Sequence, residues 1–520
     1  MKKIVIIIGL MFVFQTAVAG SLSNKSFNAT LKSANIINIS WEKHIIDNAF
    51  GYAFGVHAAD VDLDGDCDIL GAAQVGDFIA WWRNEGGDPI IWTKFIIDDI
   101  DGATSVTAID IDGDLDIDVV GSAWQANEVA LWINDGEDPI GWTKYTIRSS
   151  FHFAHEAYCY DLDQDDDVDI LGASSEDHLI VWWRNDGGDP ITWTEQIIGS
   201  NFLGAKCSRV ADIDEDGLLD VVGAAFYDDE IIWWRNAGGT PIVWEENIIV
   251  DDFDGSHRVE LCDIDFDGDM DIVGTAYYEM EIAWWRNDGG SPISWEKQVV
   301  GSDFDGACIG LPVDIDSDGD IDIVGTAQRD YEVAVFVNDG GEPISWTKIV
   351  IDTYFNGAWP GYVADIDSDG DIDIVAGASW ANKLAWWESD LNEQPSRPER
   401  PSGPKEGKPA IEYTFETVSV DPNEKQILYK WSWGNSEYSD WLGPYDSGKT
   451  CNASYIWDEK GTYEIKVKAK NVDGAESYWS DPLLITLPRD KSFSFNFNFL
   501  EWMFERFLNA FPILRYVLKL

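Results

Sequence analysis

The stretch Asp314-Ile315-Asp316-Ser317-Asp318-Gly319-Asp320-Ile321-Asp322 decides the fold of most of this chain. Its pattern, Asp-x-Asp-x-Asp-Gly-x-x-Asp, recurs in full or variant form at spacings of 50 and then 51 residues, beginning at Asp60, Asp110, Asp161, Asp212, Asp263, Asp314 and Asp365. A tryptophan has the same period, at Trp41, Trp92, Trp142, Trp193, Trp244, Trp295 and Trp346. Seven copies of a unit of this length indicate a repeat architecture.

Each repeat predicts four short strands separated by Gly, Asn, Asp and Pro turns. Examples are Trp92–Ile97, Val106–Ile111, Asp271–Ala276 and Ile282–Asn287. Four strands per repeat are typical of a propeller blade. We therefore predict an all-β chain with a seven-bladed β-propeller over residues 41–388.

The ends of this repeat region predict how the propeller closes. Trp41–Asp47 has no repeat before it, so we expect it to pair beside Leu384–Trp387 and complete the last blade, removing an exposed edge. The Trp-Trp pairs, such as Trp284-Trp285, recur at one strand position. We expect them to pack between blades rather than to stack on carbohydrate.

The acidic loops predict metal sites, because carboxylates at positions 1, 3, 5 and 9 can surround one ion and Gly at position 6 permits the turn. Oxygen ligands favour Ca²⁺, with Mg²⁺ as the weaker alternative, and no CxxC pair suggests zinc. We predict up to seven Ca²⁺ ions. The ligands are Asp60, Asp62, Asp64 and Asp68; Asp110, Asp112, Asp114 and Asp118; Asp161, Asp163, Asp165 and Asp169; Asp212, Asp214, Asp216 and Asp220; Asp263, Asp265, Asp267 and Asp271; Asp314, Asp316, Asp318 and Asp322; and Asp365, Asp367, Asp369 and Asp373.

The seven loops are unequal in sequence. The third has Asp166 at the glycine position and the second has Leu115 there. A slipped register of the second loop, with the turn at Asp112-Gly113, is a competing interpretation. We expect the second site to be the weakest.

These loops, each followed by a strand such as Ile323-Val324-Gly325, resemble the FG-GAP/VCBS repeats, the propellers typified by the integrin α-subunit head. The resemblance covers residues 41–388. It implies Ca²⁺ in the aspartate loops and an extracellular role in adhesion or ligand binding more often than catalysis.

A ligand site is expected on the face opposite the aspartate loops, where the repeats differ from one another. Loops between rigid strands often carry binding residues. The candidates are His57, His155, Arg209, His257, Arg258, Glu260 and Trp359. The competing interpretation is that these are ordinary exposed loops and channel-lining polar pairs.

We expect a protein of adhesion or ligand binding, with a protein or carbohydrate ligand, and no enzyme. No catalytic residue is assigned, because no nucleophile, base and orienting group form a recognisable motif. The alternative is an extracellular propeller hydrolase or lyase that acts on polysaccharide.

Composition supports a secreted, cation-binding protein. The 520 residues carry a formal net charge of -60, which argues against nucleic acid as a partner. Residues 1–19 read as a signal peptide, with Lys2 and Lys3 before an apolar run and Ala17-Val18-Ala19 at the cleavage site. We expect the six cysteines to be mostly buried free thiols, with a disulfide between blades as the alternative.

The rest of the chain predicts three further segments. Residues 391–409 are a Pro-rich linker, and residues 410–488 predict a small β-sandwich. Tyr429–Gly434 and Gly461–Val467 resemble a PKD-type or related Ig-like domain. Residues 493–520 predict a short amphipathic helix, whose partner is open: a membrane surface, the sorting machinery or its own sandwich domain.

Overall fold

The structure, a computed structural model, describes residues 39–391, 394–423, 425–472 and 474–487. These residues form strands and turns; within them there is no helix, and so none long and apolar enough to cross a membrane. The predicted signal peptide and C-terminal helix lie outside the described residues. The chain divides into two compact units between Leu391 and Asn392.

The first unit contains 28 strands, all of which pair antiparallel. They are β1 Ile39–Asp47, β2 Ala53–Ala59, β3 Asp68–Ala73, β4 Phe78–Asn84, β5 Trp92–Asp99, β6 Ala103–Ile109, β7 Asp118–Ala123, β8 Glu128–Asn134, β9 Trp142–Ser149, β10 Ala154–Tyr160, β11 Asp169–Ser174, β12 Leu179–Asn185, β13 Trp193–Ser200, β14 Ala205–Ala211, β15 Asp220–Ala225, β16 Glu230–Asn236, β17 Trp244–Val250, β18 Ser256–Cys262, β19 Asp271–Ala276, β20 Glu281–Gly290, β21 Ile293–Gly301, β22 Ala307–Val313, β23 Asp322–Ala327, β24 Glu332–Asn338, β25 Trp346–Asp352, β26 Ala358–Ala364, β27 Asp373–Ala378 and β28 Lys383–Leu391.

Consecutive strands form repeated four-stranded sheets that resemble propeller blades. The first sheet has the order β2-β3-β4-β5, and five more follow in the same pattern up to β22-β23-β24-β25. The remaining sheet has the order β1-β28-β27-β26. The first described strand of the unit therefore completes the sheet that the unit's last three strands form. Lys43 lies opposite Trp387 and Asp47 opposite Leu384, which confirms the pairing predicted for this segment.

The strand that follows each aspartate loop is buried along its whole length. In β23 every residue of Asp322–Ala327 is buried, because Ile and Val fill both faces of a strand that lies between two others. Gly325 is required there, since a Cβ at this position would lie 2.9 Å from Ile282 and 3.0 Å from Phe304. The Phe304 ring packs edge-on against Phe336, with centroids 5.4 Å apart.

The Trp-Trp pairs are buried, as expected for packing. Trp284 and Trp285 are 1% and 2% exposed. Trp285 packs edge-on against Phe253, with centroids 4.8 Å apart. The phenylalanine of this contact recurs in six repeats, at Phe50, Phe151, Phe202, Phe253, Phe304 and Phe355. It is a periodic marker that the sequence analysis missed.

The first strands of successive sheets lie against one another. The contacting pairs are β2 with β6, β6 with β10, β10 with β14, β14 with β18, β18 with β22, β22 with β26, and β26 with β2. The core is shared in the same way: Phe50 and Trp82 of the first repeat belong to one apolar cluster with Val375 and Trp386 of the last.

The second unit contains β29 Glu412–Thr417, β30 Ile427–Ser432, β31 Leu442–Tyr445, β32 Cys451–Ile456, β33 Gly461–Asn471 and β34 Leu483–Leu487. They form a two-stranded sheet, β29-β32, and a four-stranded sheet, β31-β30-β33-β34. One apolar core joins the two sheets and includes Phe415, Trp431, Trp457 and Ile465. All six strands lie within residues 410–488, where the sequence predicted a small β-sandwich.

The Pro-rich segment after Leu391 does more than connect the two units. Its Ser396 N–H donates to the Val420 carbonyl at 2.8 Å, and its Glu399 N–H donates to the Val418 carbonyl at 2.9 Å. Ser402 forms an antiparallel bridge with Glu416. The segment therefore lies along the second unit, where the sequence analysis expected an extended linker.

Candidate functional site: aspartate loops and inner strands

The aspartate at position 1 of each loop organises the turn. In the sixth loop, Asp314 Oδ1 accepts the N–H of Asp318 and Oδ2 accepts the N–H of Gly319, both at 3.1 Å. Ser317 has a φ of 55° and Gly319 a φ of 94°, so the chain curls around the carboxylate. This curl directs the side chains at positions 1, 3 and 5 toward the inside of the loop.

The aspartate at position 9 fastens the loop to the sheet. Asp322 is 1% exposed, its Oδ1 accepts the Asn338 N–H at 2.8 Å, and its Oδ2 accepts the Ile315 N–H at 3.1 Å. Burial raises the pKa of Asp322 to about 8. The same pair of bonds recurs at Asp68, Asp118, Asp169, Asp220, Asp271 and Asp373. This fastening role was not predicted from the sequence, which assigned position 9 to the metal alone.

Carboxylate oxygens of different positions converge within 4.8 Å of one another. The groups include Asp60, Asp62 and Asp68; Asp110, Asp112 and Asp118; Asp161, Asp163 and Asp169; Asp263, Asp265 and Asp271; and, in the fourth loop, Asp212, Asp214 and Asp216. Two ligands on opposite sides of a Ca²⁺ ion, each 2.3–2.6 Å from it, lie roughly 5 Å apart, so this spacing fits the ion.

Several of these oxygens are buried without a hydrogen-bond partner in the protein. They are Oδ1 of Asp62, Asp163 and Asp214, all at position 3, and Oδ1 of Asp365. A buried carboxylate oxygen without a donor is costly, and a bound cation removes that cost. The donor set is oxygen only, which suits Ca²⁺ better than a transition metal.

The second loop keeps the register of the others. Asp110 Oδ1 accepts the Gly113 N–H at 2.8 Å and Oδ2 accepts the Leu115 N–H at 3.1 Å. Leu115 takes the place of the glycine with a φ of 83°, and Asp166 does so in the third loop with a φ of 74°. Both residues adopt a strained backbone conformation instead of shifting the loop, so the slipped register is not used.

Four of the residues that lie six positions before the loops form one aromatic cluster, hereafter the inner cluster: Phe54, His155, His257 and Trp359. They come from β2, β10, β18 and β26. Ring centroids are 4.9 Å apart for Phe54–Trp359 and His257–Trp359, 5.2 Å for Phe54–His155 and 6.1 Å for His155–His257.

The two histidines of the inner cluster present unpaired acceptors. His155 Nδ1 lies 2.9 Å from the Lys206 carbonyl and His257 Nδ1 lies 3.1 Å from the Cys308 carbonyl. A carbonyl only accepts, so each Nδ1 carries the proton and each Nε2 keeps its lone pair, buried and without a partner. Burial, together with the nearby Lys206 ammonium, lowers both histidine pKa values well below the usual range. Burial also lowers the pKa of Lys206 to about 8.

Charged side chains one or three residues further along β10, β14 and β18 pair with one another. Arg209, 4% exposed, donates from Nε to Glu260 at 2.8 Å and from Nη1 to Glu156 at 3.1 Å. Arg258 donates from Nε to Glu260 at 2.6 Å. Because these groups satisfy each other, the network has the character of a structural brace.

The predicted ligand residues thus fall into separate groups. His155, His257 and Trp359 belong to the inner cluster, and Arg209, Arg258 and Glu260 belong to the ion-pair network. His57 packs against the Tyr362 ring at 4.6 Å.

Aromatic residues in the β15–β16 and β19–β20 turns extend the inner cluster toward the protein surface. Phe226 lies 6.1 Å from the His257 ring and 5.3 Å from the Tyr278 ring. The Lys206 ammonium lies 4.9 Å above the Phe226 ring. Tyr227 and Tyr278 are 63% and 45% exposed. These turns form a half-exposed aromatic surface beside one ammonium and two histidine acceptors, hereafter the aromatic face.

All six cysteines are free thiols, and four of them are buried. Burial raises the pKa of Cys207 to about 12. This agrees with the expectation of buried thiols and not with the alternative of a disulfide between blades.

Comparison with known proteins agrees with this architecture. The FG-GAP-like repeat family matches residues 161–223, 212–274 and 314–376. Among solved structures, the PKD domain of an M14-like peptidase from Thermoplasmatales archaeon SCGC AB-540-F20 is 37% identical; the match covers 19% of this chain and 100% of that chain, with a TM-score of 0.18. No curated protein matches the chain. The chain carries FG-GAP-like repeats followed by a PKD-like domain, and domains of both kinds are typically extracellular.

Proposed function

We propose that the first unit is a closed, seven-bladed β-propeller that Ca²⁺ stiffens and that binds an extracellular protein or glycan. The closed form is supported by the pairing of β1 with β28 and by the contact of β26 with β2. With these two contacts, each four-stranded sheet has a neighbour on both sides.

Calcium binding rests above all on the buried, unpartnered oxygens at position 3 of the loops. When bound, Ca²⁺ supplies charge neutralisation and crosslinks each loop. The chain's own part is to hold the ligands in place: position 1 curls the loop, and position 9 ties it to two backbone N–H groups. Metal ions that bind only the folded state stabilise it in proportion to their number.

Ligand binding is assigned to the aromatic face. The aspartate loops repeat the same chemistry, whereas the residues six positions before them are of six different types: Phe54, Thr104, His155, Lys206, His257, Cys308 and Trp359. Exposed tyrosines offer flat apolar contact with a polar end, and the Lys206 ammonium above the Phe226 ring adds a hydrogen-bond donor. Sugar rings and polar protein loops both present groups that match this set.

The proposal includes secretion and excludes catalysis. Secretion is supported by the signal-peptide pattern at residues 1–19 and by the domain types. Two acidic groups near the inner cluster, Glu156 and Glu260, are held in ion pairs with Arg209 and Arg258. A polysaccharide hydrolase or lyase remains the competing function, and it is tested with the same preparations.

The first experiment compares thermal unfolding of the mature chain in Ca²⁺ and in excess chelator, with elemental analysis of bound metal. We expect a large Ca²⁺-specific rise in Tm. No shift and no bound metal would contradict the calcium part of the proposal.

The second experiment screens glycans and extracellular proteins for binding, and polysaccharides for cleavage. Tyr227→Ala on the aromatic face is expected to weaken binding of any ligand found. Tyr145→Ala is the matched control, because Tyr145 is 39% exposed on the outer strand β9. Equal loss in both variants, or cleavage of a polysaccharide, would overturn the assignment.

A further inference from the structure

In four repeats an arginine lies near the end of the third strand of the sheet, next to the metal loop. These are Arg83 in β4, Arg184 in β12, Arg235 in β16 and Arg286 in β20. In three of these repeats the arginine binds the acid two residues further along. The Nε–H donates at 2.8 Å in each case, from Arg83 to Glu85, from Arg184 to Asp186 and from Arg286 to Asp288.

The fourth repeat has Ala237 in place of that acid, and its arginine turns to the metal loop. Arg235 donates from Nε to Asp214 and, at 2.5 Å, from Nη2 to Asp216. Asp214 and Asp216 are positions 3 and 5 of the fourth loop. In the first repeat, the equivalent approach of Arg83 to Asp62 is 3.8 Å, too long for a hydrogen bond.

Two other residues set the fourth loop apart. Position 7 is Leu218, where the other six loops have aspartate. At position 9, Asp220 Oδ2 accepts the Trp233 indole N–H at 2.9 Å in addition to its two backbone bonds. The fourth loop therefore offers fewer carboxylate oxygens to a metal than its neighbours do.

We infer that Arg235 is a tethered cation that competes with Ca²⁺ for the fourth loop, and that the residue at position 237 controls this competition. A guanidinium that bridges two carboxylates neutralises charge that a metal would otherwise neutralise. Calcium must displace both ion pairs before it reaches Asp214 and Asp216. Because Asp214 Oδ1 is still buried without a partner, the site is weakened and not abolished.

This inference rests on the proposed calcium binding and changes the expected ranking of the sites. The sequence indicated the second loop as the weakest, on account of Leu115. The structure keeps that loop in register, so we place the fourth loop last. Exposed ion pairs contribute little each, and two of them correspond to an affinity about tenfold lower.

The test counts bound Ca²⁺ in the full mature chain by native mass spectrometry across a titration of the free metal. Ala237→Asp recreates the acid of the third and fifth repeats, and is expected to tighten the weakest site about tenfold. Asp186→Ala is the matched opposite change. It releases Arg184, which already interacts electrostatically with Asp163 and Asp165, and is expected to weaken one further site.

A second variant tests the role of Arg235 directly, without a change at position 237. Arg235→Gln removes the tethered cation, and is expected to tighten the weakest site as Ala237→Asp does. It is also expected to lower the Tm in chelator, where Asp214 and Asp216 lose their ion-pair partner, while leaving the Tm in saturating Ca²⁺ unchanged or higher.

The outcomes separate this inference from the proposed function. If the parent protein binds several Ca²⁺ ions but Ala237→Asp and Arg235→Gln leave the weakest site unchanged, the role of Arg235 is refuted and calcium binding stands. If the parent protein binds no Ca²⁺, both proposals fail together.

Discussion

Substitution of Asp322, the position-9 aspartate of the sixth loop, separates the two roles that we assign to it. Asp322→Ala removes the acceptors of the Asn338 and Ile315 N–H groups, both buried. Each buried N–H group left without an acceptor costs about 1–3 kcal/mol. We expect Asp322→Ala to lose roughly 3–5 kcal/mol of local stability in chelator, before any metal is considered. Asp322→Asn keeps one oxygen acceptor and is expected to lose about half of that.

The assay is amide hydrogen exchange of the full chain, read on peptides that contain residues 315 and 338. A local loss of roughly 3–5 kcal/mol corresponds to exchange about a hundredfold to several thousandfold faster. Asp320→Asn is the control, because it removes a carboxylate from the same loop but none of these bonds. Addition of Ca²⁺ is expected to protect the parent protein and Asp320→Asn more than Asp322→Ala.

The reasoning is refuted if Asp322→Ala and Asp320→Asn exchange alike in chelator at both amides. That result would assign position 9 to the metal alone. If the two variants differ in chelator but respond equally to Ca²⁺, position 9 holds the loop without binding the ion.

Three further predictions concern stability. Leu115→Gly is expected to raise the free energy of unfolding by roughly 0.5–1 kcal/mol, because Leu115 has a φ of 83°, and no gain in urea unfolding would contradict this. Arg209→Met is expected to cost about 3–5 kcal/mol, since Glu156 and Glu260 lose their shared partner; an unchanged unfolding midpoint would show that the network is dispensable. Burial lowers the pKa of His57 to about 4, so the unfolded state gains a proton below its ordinary pKa of about 6.5 and the folded state does not. Stability is therefore expected to fall by about 1–2 kcal/mol between pH 7 and pH 5, and His57→Asn is expected to remove that part of the pH dependence.

The repeat period made much of the fold predictable. One pattern of Asp, Gly and Trp set the number of loops, the strand order and the pairing of Trp41–Asp47 with the last sheet. These features follow from local sequence, because strand period and turn residues act within a few positions.

Contacts between repeats were less predictable. The inner cluster joins side chains about 100 to about 300 residues apart, and their approach depends on how the first strands of different sheets face each other. The pairing of Arg209 with Glu156 and Glu260 has the same origin. The sequence places the four inner-cluster residues at equivalent repeat positions, but does not say which of them touch.

The behaviour of Arg235 could have been found from the sequence by a finer comparison. Ala237 stands where the other six repeats have an acid, and four repeats have an arginine two residues before this position. The signal lies in one missing partner and not in any motif. A search for motifs alone passes over it.

The union of β1 with β28 has a consequence for synthesis of the chain. His44 and Glu388, which face each other across this pairing, are 344 residues apart. The earliest strand of the unit to leave the ribosome therefore waits for the latest one, and until then both present open edges to other chains. In the closed form that we propose, removal of whole repeats from either end leaves the same exposed edges, so we expect that the first unit cannot be shortened repeat by repeat as an open solenoid can.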